Sequence, residues 1–415
     1  MMLFFTDSQT TIFSRSLIRG FGSRLRRVTC DLQKAIWMVC TTHMFIEVFF
    51  LTQVALIPVI VLEFQLSLLE ASLIAAVPSL VSLLMNIPSG LLADRVSANR
   101  LLCLSMTIEG FSALVVSQTN DFWSLVLALS FMRVASPLYH ASGLTQITRI
   151  VRKERLSMAM GLHNALGNLG SGAGVISLAI LLSHLSWRWT YLLWAVPMLI
   201  WGVTVLVSPR FSITITRRQE DGRTSLSRSM STVFCQALLI FLIVVSIREV
   251  GSTSISTFMT TYLVKSKNIS ESIASLIFGS GPFVGIAGSL IGGYMGTRSG
   301  AKNALSWAIL GSAVSLSILG LLSNPYPLTL AFLVYAFFSY AVWSPMNALM
   351  ADITPDESRG LGFSILFFVE ALMVSGTPVL AAGVIELTDV WVIFPFSVVF
   401  LAASVLMLQL IQHSR

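Results

Sequence analysis

Twelve apolar stretches, each close to the length of a bilayer crossing, follow one another along the 415 residues with little polar sequence between them. A spanning helix needs roughly 20 apolar residues. Stretches such as Ser124–Phe131, Leu192–Val207 and Phe394–Leu408 are apolar on nearly every face, which suits lipid or the inside of a bundle. Only 11% of the residues are charged, against about 25% in a soluble domain, so the chain cannot clothe itself in charge against water. The expected fold class is an all-α membrane protein with helices over 35–62, 68–92, 100–117, 122–148, 156–183, 187–208, 232–264, 270–295, 302–322, 326–350, 359–385 and 388–411. Asn324-Pro325 and Pro327 separate helices 9 and 10. Thr354-Pro-Asp-Glu357 reads as the start of helix 11, with a capping Thr, Pro in the first turn and Glu three residues on.

Charge in the short loops sets the orientation, because cytoplasmic loops retain Lys and Arg. With the N-terminus inside, the inner segments hold 21 of the 26 basic residues and the outer loops hold three, Arg188, Lys265 and Lys267; Arg133 and Arg248 lie within helices. Both termini are therefore expected in the cytoplasm, with the protein in the cell inner (plasma) membrane. Residues 1–34 carry Phe4, Phe5, Ile12, Phe13, Leu17, Ile18 and Phe21 among five arginines. This segment is read as a basic cytoplasmic tail that fixes topology, an interfacial helix being the alternative. Residues 35–208 form an N-terminal six-helix bundle, the polar stretch 209–231 a cytoplasmic linker, and residues 232–415 a C-terminal six-helix bundle. Cys30, Cys40, Cys103 and Cys235 lack CxxC spacing and read as small hydrophobes.

The two halves repeat at an offset of 203 residues. Gly90-Leu-Leu-Ala-Asp94-Arg95-Val-Ser-Ala-Asn-Arg100 follows helix 2, and Gly293-Tyr-Met-Gly-Thr297-Arg298-Ser-Gly300-Ala-Lys302 follows helix 8. Arg152-Lys-Glu154-Arg155 precedes helix 5 and Pro355-Asp-Glu357-Ser-Arg359 precedes helix 11. A repeat in a helical membrane protein points to two pseudo-symmetric bundles about a central site. Gly90 allows close helix approach, and Asp94 is suited to the N-terminus of helix 11, where the helix dipole favours an anion; Arg149 or Arg152 could complete that cluster.

The Gly90-x-x-x-Asp94-Arg95-x-x-x-x-Arg100 segment resembles the signature of the major facilitator superfamily between helices 2 and 3. The resemblance implies two six-helix bundles rocking about a midplane cavity, with Gly90, Asp94, Arg95 and Arg100 as the gating motif of the inner side. The second copy, with Thr297 in place of Asp94, is degenerate as is common in the family. The buried Arg133 and the glycine-dense helix 5, from Met160 to Gly174, are similar to drug-export branches, most of all to fosmidomycin-resistance-like exporters. Val175 stands where the antiporter motif has proline after Gly174.

Charge inside a membrane is costly, so each intramembrane ionisable residue is a functional candidate. His43 and Glu47 lie on one face of helix 1; helix 4 carries Arg133 and His140, helix 7 Arg248 and Glu249, and helix 11 Glu370. Glu47 assisted by His43 is the expected proton site, Glu370 a second one, and Arg133 and Arg248 are expected to attract an anionic group or to hold the carboxylates ready. Structural ion pairs, Glu47 with Arg248 or Glu109 with Arg133, are the competing reading. Only one of the adjacent Arg248 and Glu249 is expected to face the cavity. Trp123, Trp187, Trp189, Trp194, Tyr326 and Trp391 read as interfacial belt residues.

No phosphate-binding GxxxxGK[ST] loop, HExxH or zinc-spaced cluster occurs, so no enzyme activity, cofactor or metal is expected. The expected function is a secondary transporter moving a small organic solute, anionic solutes included, by alternating access with proton-coupled export. Proton-linked uptake and a transporter-like sensor without flux are the alternatives. The expected partners are the solute, protons and the lipid bilayer; no nucleic acid partner is expected, and the chain is expected to be a monomer.

Overall fold

The structure, a computed structural model, describes residues 15–208 and 236–411; the linker 209–231 and the first fourteen residues lie outside them. Among the described residues there is no strand, and twelve helices are long and apolar enough to cross a membrane. These spans, numbered 1 to 12, cover Lys34–Ile57, Leu73–Arg95, Ala98–Val116, Phe122–Ile150, Lys153–Leu182, Arg188–Val207, Gln236–Lys265, Ile273–Ser299, Ala301–Leu321, Pro325–Ile353, Asp356–Leu387 and Val390–Leu408. All twelve predicted segments are present. The helix containing span 1 begins at Arg15, so the backbone of 15–34 is helical where the sequence reading favoured a tail.

Three spans are broken where the sequence predicts continuity, and proline supplies the reason. A proline at position i leaves the carbonyl at i−4 without its amide partner. In span 4 the helix Phe122–Met132 stops before Arg133 and resumes at Ala135, beneath Pro137. In span 10 it stops at Ala341 and resumes at Trp343, beneath Pro345. In span 8 the break at Ser280 precedes Pro282. The breaks in spans 4 and 10 fall beside Arg133 and Trp343, both of them partly buried.

Packing follows the repeat. Span 1 packs on span 5 and span 7 on span 11; span 3 pairs with span 6 and span 9 with span 12. Glycine sets how close spans 1 and 5 come, since a Cβ on Gly170 would collide with the Met44 carbonyl. The halves meet along spans 5 and 8 on one side and spans 2 and 11 on the other. Trp187, expected in the interfacial belt, is instead buried and donates its indole N–H to Glu63 at 2.6 Å, while Trp123 and Trp189 are exposed as expected. Arg188 also binds Glu63, at 2.6 Å, and the Thr119 carbonyl, at 2.7 Å, tying spans 1, 3 and 6 together at the end away from the termini.

At the end bearing the termini the halves are closed. Asp94 Oδ1 and Oδ2 accept the Gly360 and Leu361 amides at 2.8 and 2.9 Å. The predicted Thr354 cap is not made: its hydroxyl donates back to Met350 O at 2.8 Å, and the long helix of span 11 begins at Arg359. Its first free amides are capped by a carboxylate from the other half, where helix dipole and charge-assisted hydrogen bonds act together. Lys153 and Asp352 add an ion pair across the seam at 3.3 Å.

Candidate substrate and coupling site

The second copy of the motif caps a helix of the other half as the first does, with a neutral group. Thr297 Oγ1 accepts the Met158 amide at the start of span 5, at 3.1 Å. With the 203-residue offset, Asp94 maps to Thr297 and Leu361 to Met158, so each half caps a helix of the other. Glycine matches too: a Cβ on Gly90 would lie 2.7 Å from Gly360 O, and one on Gly293 would lie 2.7 Å from Ser157 O. The sequence reading set Thr297 aside as degenerate, yet the offset that revealed the repeat already placed it. Arg95 and Arg100 are exposed at the same end. Thr297→Val removes one neutral hydrogen bond, worth about 1 kcal/mol. It should lower the closed-to-open ratio of that end by about fivefold, whereas Thr297→Ser should leave it unchanged. Spin labels on Asn99→Cys and Asn303→Cys, in a background without other cysteines, would read this as a distance distribution across the terminal end.

In the first half, spans 1, 4 and 5 converge on a histidine cluster. His43 Nε2 and His140 Nε2 each lie 3.5 Å from Glu47 Oε1. The His43 ring stacks on His163 at 3.8 Å, and Tyr139 OH lies 2.9 Å from His163 Nε2 while donating to Val39 O at 2.8 Å. His163 thus enters the site, through its stacking and the Tyr139 bond. Arg133 stands apart from it, donating to Gln53 Oε1 at 3.0 Å and lying 5.5 Å over the Phe50 ring. Among the described residues Arg133 makes no ion pair.

In the second half, Arg248 contacts both Glu249 and Glu370. It pairs with its neighbour Glu249, and its Nη2 lies 3.8 Å from Glu370 Oε1. The sequence reading had these adjacent residues diverging; a flexible Arg side chain folds back instead. All three side chains are buried, and Glu370 Oε1 finds no hydrogen-bond donor among the described residues. The guanidinium lies 5.2 Å over the Trp343 ring. Two carboxylates therefore share one cation where charge is expensive.

Span 11 links the clusters. Phe367 packs edge-on against His140 at 5.2 Å, and Glu370, one turn further along, faces Arg248. The histidine cluster lies at the seam of the two halves, where Phe367 meets it, whereas the Arg248 cluster is held among spans 7, 10 and 11 of the second half. Among the described residues, the hydrogen bonds that cross the seam run from the terminal end to Asn168 and Ser289, whose side chains meet at 3.2 Å. Beyond that level, Gly376 and Gly383 of span 11 face open space.

A family model described as Major Facilitator Superfamily matches residues 39–248 and 241–413. The riboflavin transporter RibZ of Clostridioides difficile (strain 630) is 22% identical over 370 residues, covering 76% of this chain and 80% of that one. The fosmidomycin resistance protein of Escherichia coli (strain K12) is 22% identical over 267 residues, covering 62% and 64%. A crystal structure of the transporter FucP in the outward conformation superposes with a TM-score of 0.79 at 13% identity, covering 92% of this chain and all of that one.

Proposed function

Because the chain belongs to the Major Facilitator Superfamily, and is thus an integral membrane transporter, we propose that it couples inward proton movement to export of a small organic solute. Its resemblance to exporters supports the direction, and the 21-to-3 distribution of basic residues supports a cytoplasmic location for both termini. On that orientation the structure is the state closed to the cytoplasm. Arg133, which makes no ion pair among the described residues, suits anionic solutes. The relatives' names make riboflavin and fosmidomycin the first compounds to try.

The observation that carries the coupling reading is the surplus carboxylate at Arg248. Glu249 already takes the guanidinium, so Glu370 is left in a buried site without a full counter-charge. A proton on Glu370 removes the excess; its loss leaves one net negative charge in a low dielectric. The charged and titratable groups facing it are Arg248 and Glu249 from span 7, with Trp343 and Tyr335 of span 10 around the guanidinium and His140 of span 4 a turn away on Phe367. Glu370 suits the role better than Glu47, whose oxygen already faces two imidazoles. Span 11 also bears the amides that Asp94 holds, so protonation acts on the helix that closes the cytoplasmic end.

Proteoliposome flux tests this reading. Glu370→Gln should cut pH-gradient-driven transport of a compound first found by thermal shift by at least about tenfold, while solute exchange without net proton movement persists. Undiminished pH-driven flux in that variant would sink the coupling role. Flux that runs only into the proton-poor compartment would favour the uptake alternative.

A further inference from the structure

The histidine cluster of the first half has a donor geometry that proton coupling at Glu370 does not use. His43 Nδ1 lies 2.8 Å from His163 O, and His140 Nδ1 lies 2.9 Å from Ser136 O. A carbonyl oxygen can only accept, so both Nδ1 atoms carry the hydrogen, and in the neutral form of each ring Nε2 presents a lone pair. Both lone pairs meet the same carboxylate oxygen, Glu47 Oε1, each at 3.5 Å. Three acceptors facing one another repel unless a cation stands between them.

The distances choose between a shared proton and a larger cation. An N–H···O bond closes to about 2.7–3.2 Å, shorter than either contact. A tetrahedral ion with bonds of about 2.1 Å to nitrogen and oxygen holds neighbouring ligands about 3.4 Å apart, which matches both 3.5 Å edges. The three ligand atoms all lie within 4.8 Å of one another. Two imidazoles and a carboxylate form a donor set for divalent first-row metals that leaves coordination positions open. Anchoring each ring through Nδ1–H to a carbonyl is how proteins orient such ligands. The stack of His43 on His163, at 3.8 Å and 10° between planes, fixes one ring further. The His140 and Glu47 side chains keep 18% and 19% of their surface exposed, so the open side is accessible where Phe367 of span 11 crosses.

We propose that His43, Glu47 and His140 bind a divalent first-row transition-metal ion with an open coordination position at the seam between the halves. The ion is either carried itself or receives a donor atom of the solute. The inference is independent of the coupling role of Glu370, which belongs to the other half. Nothing in the spacing of the chain announces it: the third ligand follows Glu47 by 93 residues and comes from another span.

The test uses the full chain in lipid nanodiscs with Co²⁺ as the probe. Wild type should bind one Co²⁺ per chain, with visible absorption of tetrahedral or five-coordinate form that Zn²⁺ bleaches. Glu47→Gln and His140→Gln should each weaken binding by at least about tenfold, while His184→Gln, at an exposed histidine in the turn after span 5, should not. No binding to wild type, or binding indifferent to both ligand variants, overturns the site. Should a ligand variant fail to fold, pulsed electron paramagnetic resonance of Cu²⁺ on wild type decides. Two coordinated imidazoles at a single site support it, and fewer overturn it.

Discussion

Replacing Arg248 by Met should cost about 3–5 kcal/mol of stability, the usual consequence of removing one partner from a buried ionic cluster. Arg248 is the cation shared by Glu249 and Glu370, and all three are buried. Without it, two carboxylates face each other without compensation in a low-dielectric interior, and the ring of Trp343 loses the guanidinium that lies over it. The loss should come from stranded charge rather than from missing volume, since Met fills much of the same space. Arg248→Met combined with Glu249→Gln and Glu370→Gln should therefore regain most of the stability, because a neutral, well-packed replacement of a buried ionic cluster is often tolerated. Unfolding in mixed micelles by increasing SDS would measure both. If the triple variant were no more stable than Arg248→Met, the loss would lie in packing and the charge account would fail.

The second large effect is expected at the terminal end. Asp94→Ala removes two charge-assisted hydrogen bonds to the Gly360 and Leu361 amides together with the attraction of the helix dipole. Charge-assisted bonds are worth about 1.5–3 kcal/mol each. Partial hydration of the half-buried site lowers the sum, so about 3 kcal/mol is expected, a shift of more than a hundredfold in the closed-end equilibrium. The same labels on Asn99→Cys and Asn303→Cys should show a longer distance becoming dominant. Asp94→Asn, which keeps an acceptor oxygen and the shape, should shift it less. Equal distributions in wild type and Asp94→Ala would show that the closed end is held by helix packing alone.

Much of the architecture was legible because lipid leaves few options. Apolar length and the 203-residue offset identified twelve spans in two matched halves, and prolines accounted for the breaks that apolar length could not show. The site was legible as residue types and not as partnerships. Glu47, His43, His140, Arg248, Glu249 and Glu370 do assemble, but into one cluster in each half rather than pairs across the centre. The Glu47–Arg248 pair of the competing reading does not form, because Arg248 is already held within its own half. Partner choice depends on side-chain reach and helix rotation, which a linear pattern does not carry. Tyr139 and Phe367 were missed for the same reason: in the sequence each is one more aromatic residue in an apolar stretch, and only packing brings Tyr139 to His163 and Phe367 to His140.

The unequal caps at the terminal end also impose an order of events. One flank is fastened by a carboxylate holding two amides, the other by a hydroxyl holding one and by the exposed Lys153–Asp352 ion pair, which adds little. Two rigid halves joined by a strong clasp and a weak one do not part in parallel. In the proposed alternating-access motion they would hinge about the strong clasp, the gap opening first between spans 5 and 8 and narrowing toward spans 2 and 11. Such a gap would uncover Asn164, which is hydrogen-bonded to His163, and Asn168, both of which now bond across the seam. A solute arriving by that route would meet the histidine cluster while the Asp94 clasp is still shut.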